Sequence, residues 1–172
     1  GGFAFGMRNF WQLHPTQLDI RTAATDNAEV TIWLWSPDAP PMDLEDWGRM
    51  AQFTDPLGGQ FAVWQPGKNS GFELADEPGS LSWTELYTTD AAAAKEFYAG
   101  IFGWQYGDME LPGGGGAYTI ITPAGLPEER MQGGLMELPA ENLALAGGRP
   151  YWHPVFNVDD CDAAVAKVTE NG

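Results

Sequence analysis

The chain has 172 residues, enough for one or two domains with their own core. Its eight Lys+Arg against 24 Asp+Glu give a formal charge of −16, which repels phosphates and anionic headgroups, so neither nucleic acid nor a membrane surface is an expected partner. With 44% hydrophobic residues, one cysteine and no apolar run long enough to span a bilayer, the composition is that of a globular, disulfide-free protein expected in the cytoplasm.

Residues 1–44 read differently from the rest. Phe10, Trp11 and Leu13 are apolar, but Pro15 limits any element there, and one strand is predicted at Glu29-Val-Thr-Ile-Trp-Leu-Trp35, ended by Ser36-Pro-Asp-Ala-Pro-Pro41. Residues 48–66 form a hairpin, with Arg49-Met-Ala-Gln-Phe53 and Gln60-Phe-Ala-Val-Trp-Gln65 as alternating strands around a turn containing Asp55, Pro56 and Gly58. Residues 67–80 have the composition of a linker. A module then runs over 81–138. Its opening strand leads to Asp90, which caps a helix Ala91–Phe102 whose apolar face is Ala94, Phe97, Tyr98, Ile101 and Phe102, and Gly103 stops it. Strands are expected at 105–111, 117–122 and 131–138, making the unit βαβββ. Gly113–Gly116 reads as a hairpin loop, since it precedes a strand and lacks the Lys-Ser/Thr of a phosphate cradle. Residues 139–150 form a connector, and 151–172 begin the strand-and-helix pattern again.

That pattern is a repeat. Placing Asp90 on Asp160 sets an offset of 70 and brings Ala93 and Ala94 onto Ala163 and Ala164. A doubled supersecondary unit predicts two similar modules joined in one sheet system, with a site between them. Val165 and Val168 continue the apolar stripe of the second helix. Cys161, between Asp160 and Asp162, reads as an ordinary thiol because the flanking carboxylates oppose a thiolate. His14 has no nucleophilic or acidic partner at informative spacing, so a Ser-His-Asp arrangement has no support.

Several segments carry a family resemblance: Gly48-Arg-Met-Ala51, Asp55-Pro-Leu-Gly58, Phe61-Ala-Val-Trp-Gln-Pro66, Asn69-Ser-Gly71, Glu77-Pro-Gly79, Gln132-Gly-Gly134, Tyr151-Trp-His-Pro154 and Val158-Asp-Asp160. With Trp83, Asp90, Phe97-Tyr98 and Phe102-Gly-Trp104, residues 48–172 resemble the vicinal oxygen chelate superfamily, the glyoxalase and bleomycin-resistance fold, and more closely its tandem actinobacterial members. The resemblance implies an α+β fold of βαβββ modules: 48–66 as the closing hairpin of an earlier module, 81–138 as a complete one, and 151–172 as the first half of its partner. Residues 3–44 instead resemble a segment of exo-acting rhamnogalacturonan-lyase-like proteins, through Phe10-Trp-Gln-Leu-His-Pro15 and Val30-Thr-Ile-Trp-Leu-Trp-Ser-Pro37. The chain then joins two unrelated pieces near Leu44.

The resemblance also implies where a divalent metal would be held, by one residue of the first and one of the last strand of each module. The first-strand position, seven residues before the capping Asp, is Trp83 in one copy and His153 in the other. The last-strand position matches Glu137 in the complete module and Ala62 in the hairpin, and the fourth falls beyond Gly172. Metal ligands are therefore His153 and Glu137, an incomplete set. Strand alternation puts Trp83, Glu85 and Tyr87 on one face, where Trp83 and Tyr87 would sandwich a flat ligand and Glu85 would orient it or act as a base. The leading expectation is a small-molecule-binding or catalytically incomplete protein that needs no cofactor. A metal-dependent lyase, isomerase or dioxygenase is the alternative. The third reading is homo-oligomeric assembly through strand or module pairing.

Overall fold

The computed structural model describes residues 16–21, 29–34, 40–111, 113 and 116–172; the expectations placed on residues 10–15, His14 among them, on residues 35–39 and on Gly114 and Gly115 lie outside the described residues. Ten strands and two α-helices are present among them. β1 (Thr16–Arg21) and β2 (Glu29–Leu34) pair antiparallel, β3 (Met42–Leu44), β4 (Gly48–Thr54) and β5 (Gln60–Pro66) form a second sheet, and the third contains five strands. The latter comprises β6 (Leu81–Thr88), β7 (Gln105–Glu110), β8 (Ala117–Thr122), β9 (Gly133–Glu137) and β10 (Tyr151–Phe156).

Its order is β10-β6-β9-β8-β7. The chain leaves β6 through helix α1 (Ala91–Phe102), meanders antiparallel through β7 and β8, and returns as β9 parallel to β6. This is the βαβββ unit. β10 adds antiparallel to the free edge of β6 and leads into helix α2 (Cys161–Asn171). The repeat is visible in the register: Trp83 opposes Val155 and Glu85 opposes His153, and the offset of 70 carries Trp83 onto His153 and Glu85 onto Val155. One pair is thus exchanged for the other, as across a local two-fold axis. Both helices begin alike, with the Asp90 carboxylate accepting from the Ala93 N–H at 2.9 Å and that of Asp160 from Ala163 at 3.0 Å. Gly103, at φ 66, ends α1 in the left-handed conformation that glycine adopts without cost.

Three predicted features differ from the structure. Among the described residues of 1–44 there are three strands where one is expected, because Pro15 precedes β1 and leaves its alternating Thr16-Gln-Leu-Asp-Ile-Arg21 intact, while β3 is only three residues long. The connector contains a 3₁₀ segment, Ala140–Ala146, that buries Leu143. Ile101, placed on the apolar face of α1, is 49% exposed.

The core lies between α1 and one face of the five-stranded sheet. Leu86, Ile121 and Leu135 from the strands meet Ala94 and Tyr98 from the helix, each at most 2% exposed. The hairpin closes the other side of the helix: Phe61 on β5 makes edge contacts with Phe97, Tyr98 and Phe102 at ring separations of 6.1, 5.3 and 6.2 Å. Asp55, in the hairpin turn and 5% exposed, accepts from the Leu57 and Gly59 N–H groups through Oδ1 and from the Tyr98 hydroxyl through Oδ2 at 2.9 Å. The Tyr98 oxygen in turn accepts from Trp152 Nε1 at 3.0 Å. Tyr98→Phe leaves both the Asp55 oxygen and the Trp152 N–H without this partner. We expect that variant to be less stable by about 1–3 kcal/mol in urea denaturation, with the slope unchanged.

Candidate functional site

Alternation divides every strand of the large sheet between two faces. Leu86, packed on α1, assigns its even-numbered neighbours Thr84 and Thr88 to the helix face and leaves Trp83, Glu85 and Tyr87 on the other. Cross-strand partners share a face, so the registers bring Tyr151, His153 and Val155 from β10, Gly134 and Met136 from β9, and Tyr118 and Ile120 from β8 to that same open face.

Glu85 lies at the centre of this group. Its Oε2 accepts from the Tyr87 hydroxyl at 2.6 Å and its Oε1 from the Tyr118 hydroxyl at 2.7 Å, while Trp83 Nε1 donates to the Tyr118 oxygen at 2.8 Å. The Tyr87 ring meets Tyr151 edge-on at 5.4 Å and lies 5.5 Å from His153, the residue directly opposite Glu85. Burial, then the bond to Glu85, pushes the Tyr118 phenol up to about 12, with the Trp83 donation acting the other way. The bond to Glu85 is the first cause of a still higher value for Tyr87, followed by burial. Both phenols therefore remain protonated donors across the physiological range. Gly134 makes room for this arrangement, since a Cβ built on it would collide with the Tyr118 hydroxyl and ring.

The expected residues are only partly brought together. Trp83, Glu85, Tyr87 and His153 share the open face, but Glu137 does not join His153. Glu137 pairs in register with buried Thr88 on the helix face, where its Oε2 accepts from the Ala91 N–H at 2.9 Å at the start of α1. Met136 is the open-face residue of β9, and the one-position difference is enough to move a side chain to the opposite face. Among the described residues no group of three or more His, Cys, Asp or Glu is arranged to hold a metal ion. With Trp83 at one first-strand position and both Glu85 oxygens engaged by phenols, the donor set does not fit the His-and-Glu centre the family resemblance implies. Gly134 and Tyr151 lie in segments that carry the family resemblance, and Tyr118 does not, but neither kind of signal marks them as site residues. Their part in the site follows from strand register.

A family model of the Glyoxalase/Bleomycin resistance protein/Dioxygenase superfamily matches residues 80–172. The chain belongs to this superfamily. The chain is 37% identical over 132 residues to the anthracycline biosynthesis protein DnrV of Streptomyces peucetius, covering 77% of this chain and 44% of that protein. It is likewise 37% identical over 133 residues to the putative glyoxylase CFP32 of Mycobacterium tuberculosis, covering 77% and 47%. The chain thus spans about half the length of the curated relatives it matches. A crystal structure of methylmalonyl-CoA epimerase aligns at 29% identity and a TM-score of 0.38, covering 54% of this chain and 70% of that one. A second model, the PcRGLX-like protein central beta sandwich domain, matches residues 1–58, and the uncharacterized protein YetA of Bacillus subtilis is 46% identical over 44 residues, which are 26% of this chain and 5% of YetA. Among the described residues no helix is long and apolar enough to cross a membrane.

The phenol cluster has a pH signature. Tyr118 is held to about 12 against its ordinary 10.0, so the stability it contributes is fully present below pH 10 and is lost as pH rises through 12. In alkaline unfolding, Tyr118→Phe should be less stable than the parent near neutrality and the gap should narrow over that window. Gly134→Ala should dislodge Tyr118 and cost about 1–3 kcal/mol of stability, read by thermal denaturation.

Proposed function

We propose that this chain is a small-molecule-binding module of the superfamily that lacks a competent metal centre. The observation that carries this reading is the Glu85 carboxylate on the open face, bonded at once by Tyr87 and by Tyr118, whose oxygen also accepts from Trp83. Aromatic walls around one fixed polar group are the usual composition of an organic-ligand site, in which flat surfaces supply area and the polar group supplies orientation. The names of the relatives agree with a role in small-molecule chemistry, one being a biosynthesis protein for anthracyclines and another a putative glyoxylase. A single cysteine and the charge of −16 fit a cytoplasmic setting without nucleic-acid or membrane partners.

A metal-dependent lyase, isomerase or dioxygenase is the second reading, favoured by one feature: His153 stands directly opposite Glu85, which gives one imidazole and one carboxylate on the same face. Homo-oligomeric assembly is the third. β10 is an edge strand, Phe156 at its end is 60% exposed, and α2 leaves Val165 and Val168 59% and 72% exposed.

Metal analysis of the purified chain separates the first two. After incubation with zinc, manganese or cobalt and desalting, we expect less than stoichiometric metal, unchanged by His153→Ala. One equivalent retained by the parent and lost in His153→Ala would establish the metal-dependent reading in its place. Mass in solution addresses assembly, for which a strict monomer is the contrary result.

A further inference from the structure

The five strands of the large sheet, 31 residues from β6 to β10, contain no Lys and no Arg. Their carboxylates are Glu85, Asp108, Glu110 and Glu137. Asp108 opposes the buried Thr119 and is paired with Lys95 from α1, Glu137 is bound at the start of α1, and Glu110 follows Met109, which opposes Tyr118, so all three fall on the helix side. Glu85 is thus the sole carboxylate that these strands present on the open face, and no fixed cation of the strands neutralises it. The two phenols fill only part of its capacity, since an ionised carboxylate has about four lone-pair sites.

Around it stand the indole of Trp83, the phenol rings of Tyr87, Tyr118 and Tyr151, and the imidazole of His153. Along the register from Glu85 the next residues across the sheet are Gly134, Ile120 and Gly107. The Tyr118 hydroxyl and ring lie over Gly134, so that phenol stands between Glu85 and Ile120 on the open face. A cavity of about 220 Å³ lined by Gln105, Tyr106, Gly107, Ile120, Thr122 and Glu128 lies on the β7–β8 side of the sheet. Glu128 gives that cavity a carboxylate of its own.

We infer that the open face takes a flat organic cation, an amine-bearing planar ring system, with its charged nitrogen at Glu85 and its rings against the aromatic side chains around that carboxylate. The inference rests on the small-molecule reading above and names the ligand class. Electron-rich ring faces attract cations, and an unneutralised carboxylate among them adds a charge-assisted hydrogen bond to an N–H. An anionic ligand would meet Glu85 and the overall charge of −16 with no Lys or Arg on the sheet to receive it.

Three acridines test this at physiological ionic strength, where attraction to remote charges is screened. 9-Aminoacridine is cationic at neutral pH, acridine is uncharged and acridine-9-carboxylate is anionic, while the ring system is shared. Titrated calorimetrically into the full chain, 9-aminoacridine should bind at one equivalent, about tenfold tighter than acridine and tighter still than the carboxylate. Glu85→Gln, which keeps an acceptor for the phenols, should abolish the preference. Glu170→Gln on exposed α2 removes one carboxylate away from the sheet and should retain it. Equal binding of the cation and neutral acridine, or a preference that survives Glu85→Gln, would overturn the inference and leave small-molecule binding standing. Failure of all three to bind would overturn both.

Discussion

Tyr98 holds this structure together. Its side chain is 1% exposed, and its hydroxyl both donates to Asp55 and accepts from Trp152, so one atom ties the hairpin turn, helix α1 and edge strand β10. The ring lies 5.3 Å from Phe61 and 5.5 Å from both Trp104 and Trp152. A phenol suits this position because its body fills an apolar space while its tip satisfies two buried polar groups that would otherwise cost stability. The hairpin is consequently part of the same packed body as the module that follows it, whatever its origin. Asp55 depends on the same bond, since a carboxylate in a buried turn requires donors on both oxygens.

The packing around Tyr98 also creates the open face. Once Leu86, Ile121 and Leu135 are committed to α1, alternation forces Trp83, Glu85, Tyr87 and Tyr118 outward on the same strands. Core and candidate site are two sides of one sheet, and neither set can shift by a residue without displacing the other. This coupling explains why Glu137 serves α1 and not the site: its parity places it with Thr88. It also explains the family position occupied by Trp83, whose indole supports the Tyr118 oxygen and so belongs to the Glu85 cluster.

The two copies of the strand-helix repeat show how context changes the use of one pattern. Both begin with an Asp cap and both strands lie side by side in matched register. Yet α1 buries Ala94 and Tyr98 between sheet and hairpin, whereas α2 buries none of its residues. The similarity to the superfamily and the similarity to the PcRGLX-like sandwich domain meet in the hairpin region. An alignment covering 132 of 172 residues begins no later than residue 41, so β4 falls within both it and the match to residues 1–58.

Much was legible in the sequence because it depends on near neighbours. The caps at Asp90 and Asp160, the stop at Gly103, the turn at Asp55, the alternation through Trp83, Glu85 and Tyr87, and the repeat at an offset of 70 follow from chemistry within a few residues of each position. Those features carried the βαβββ order and the family. Long-range pairing decided the rest. Alternation states which residues share a face, but only register against β8, β9 and β10 brings Tyr118, Gly134 and His153 to Glu85 and sends Glu137 to the other side, because a shift of one residue reverses every side chain in a strand.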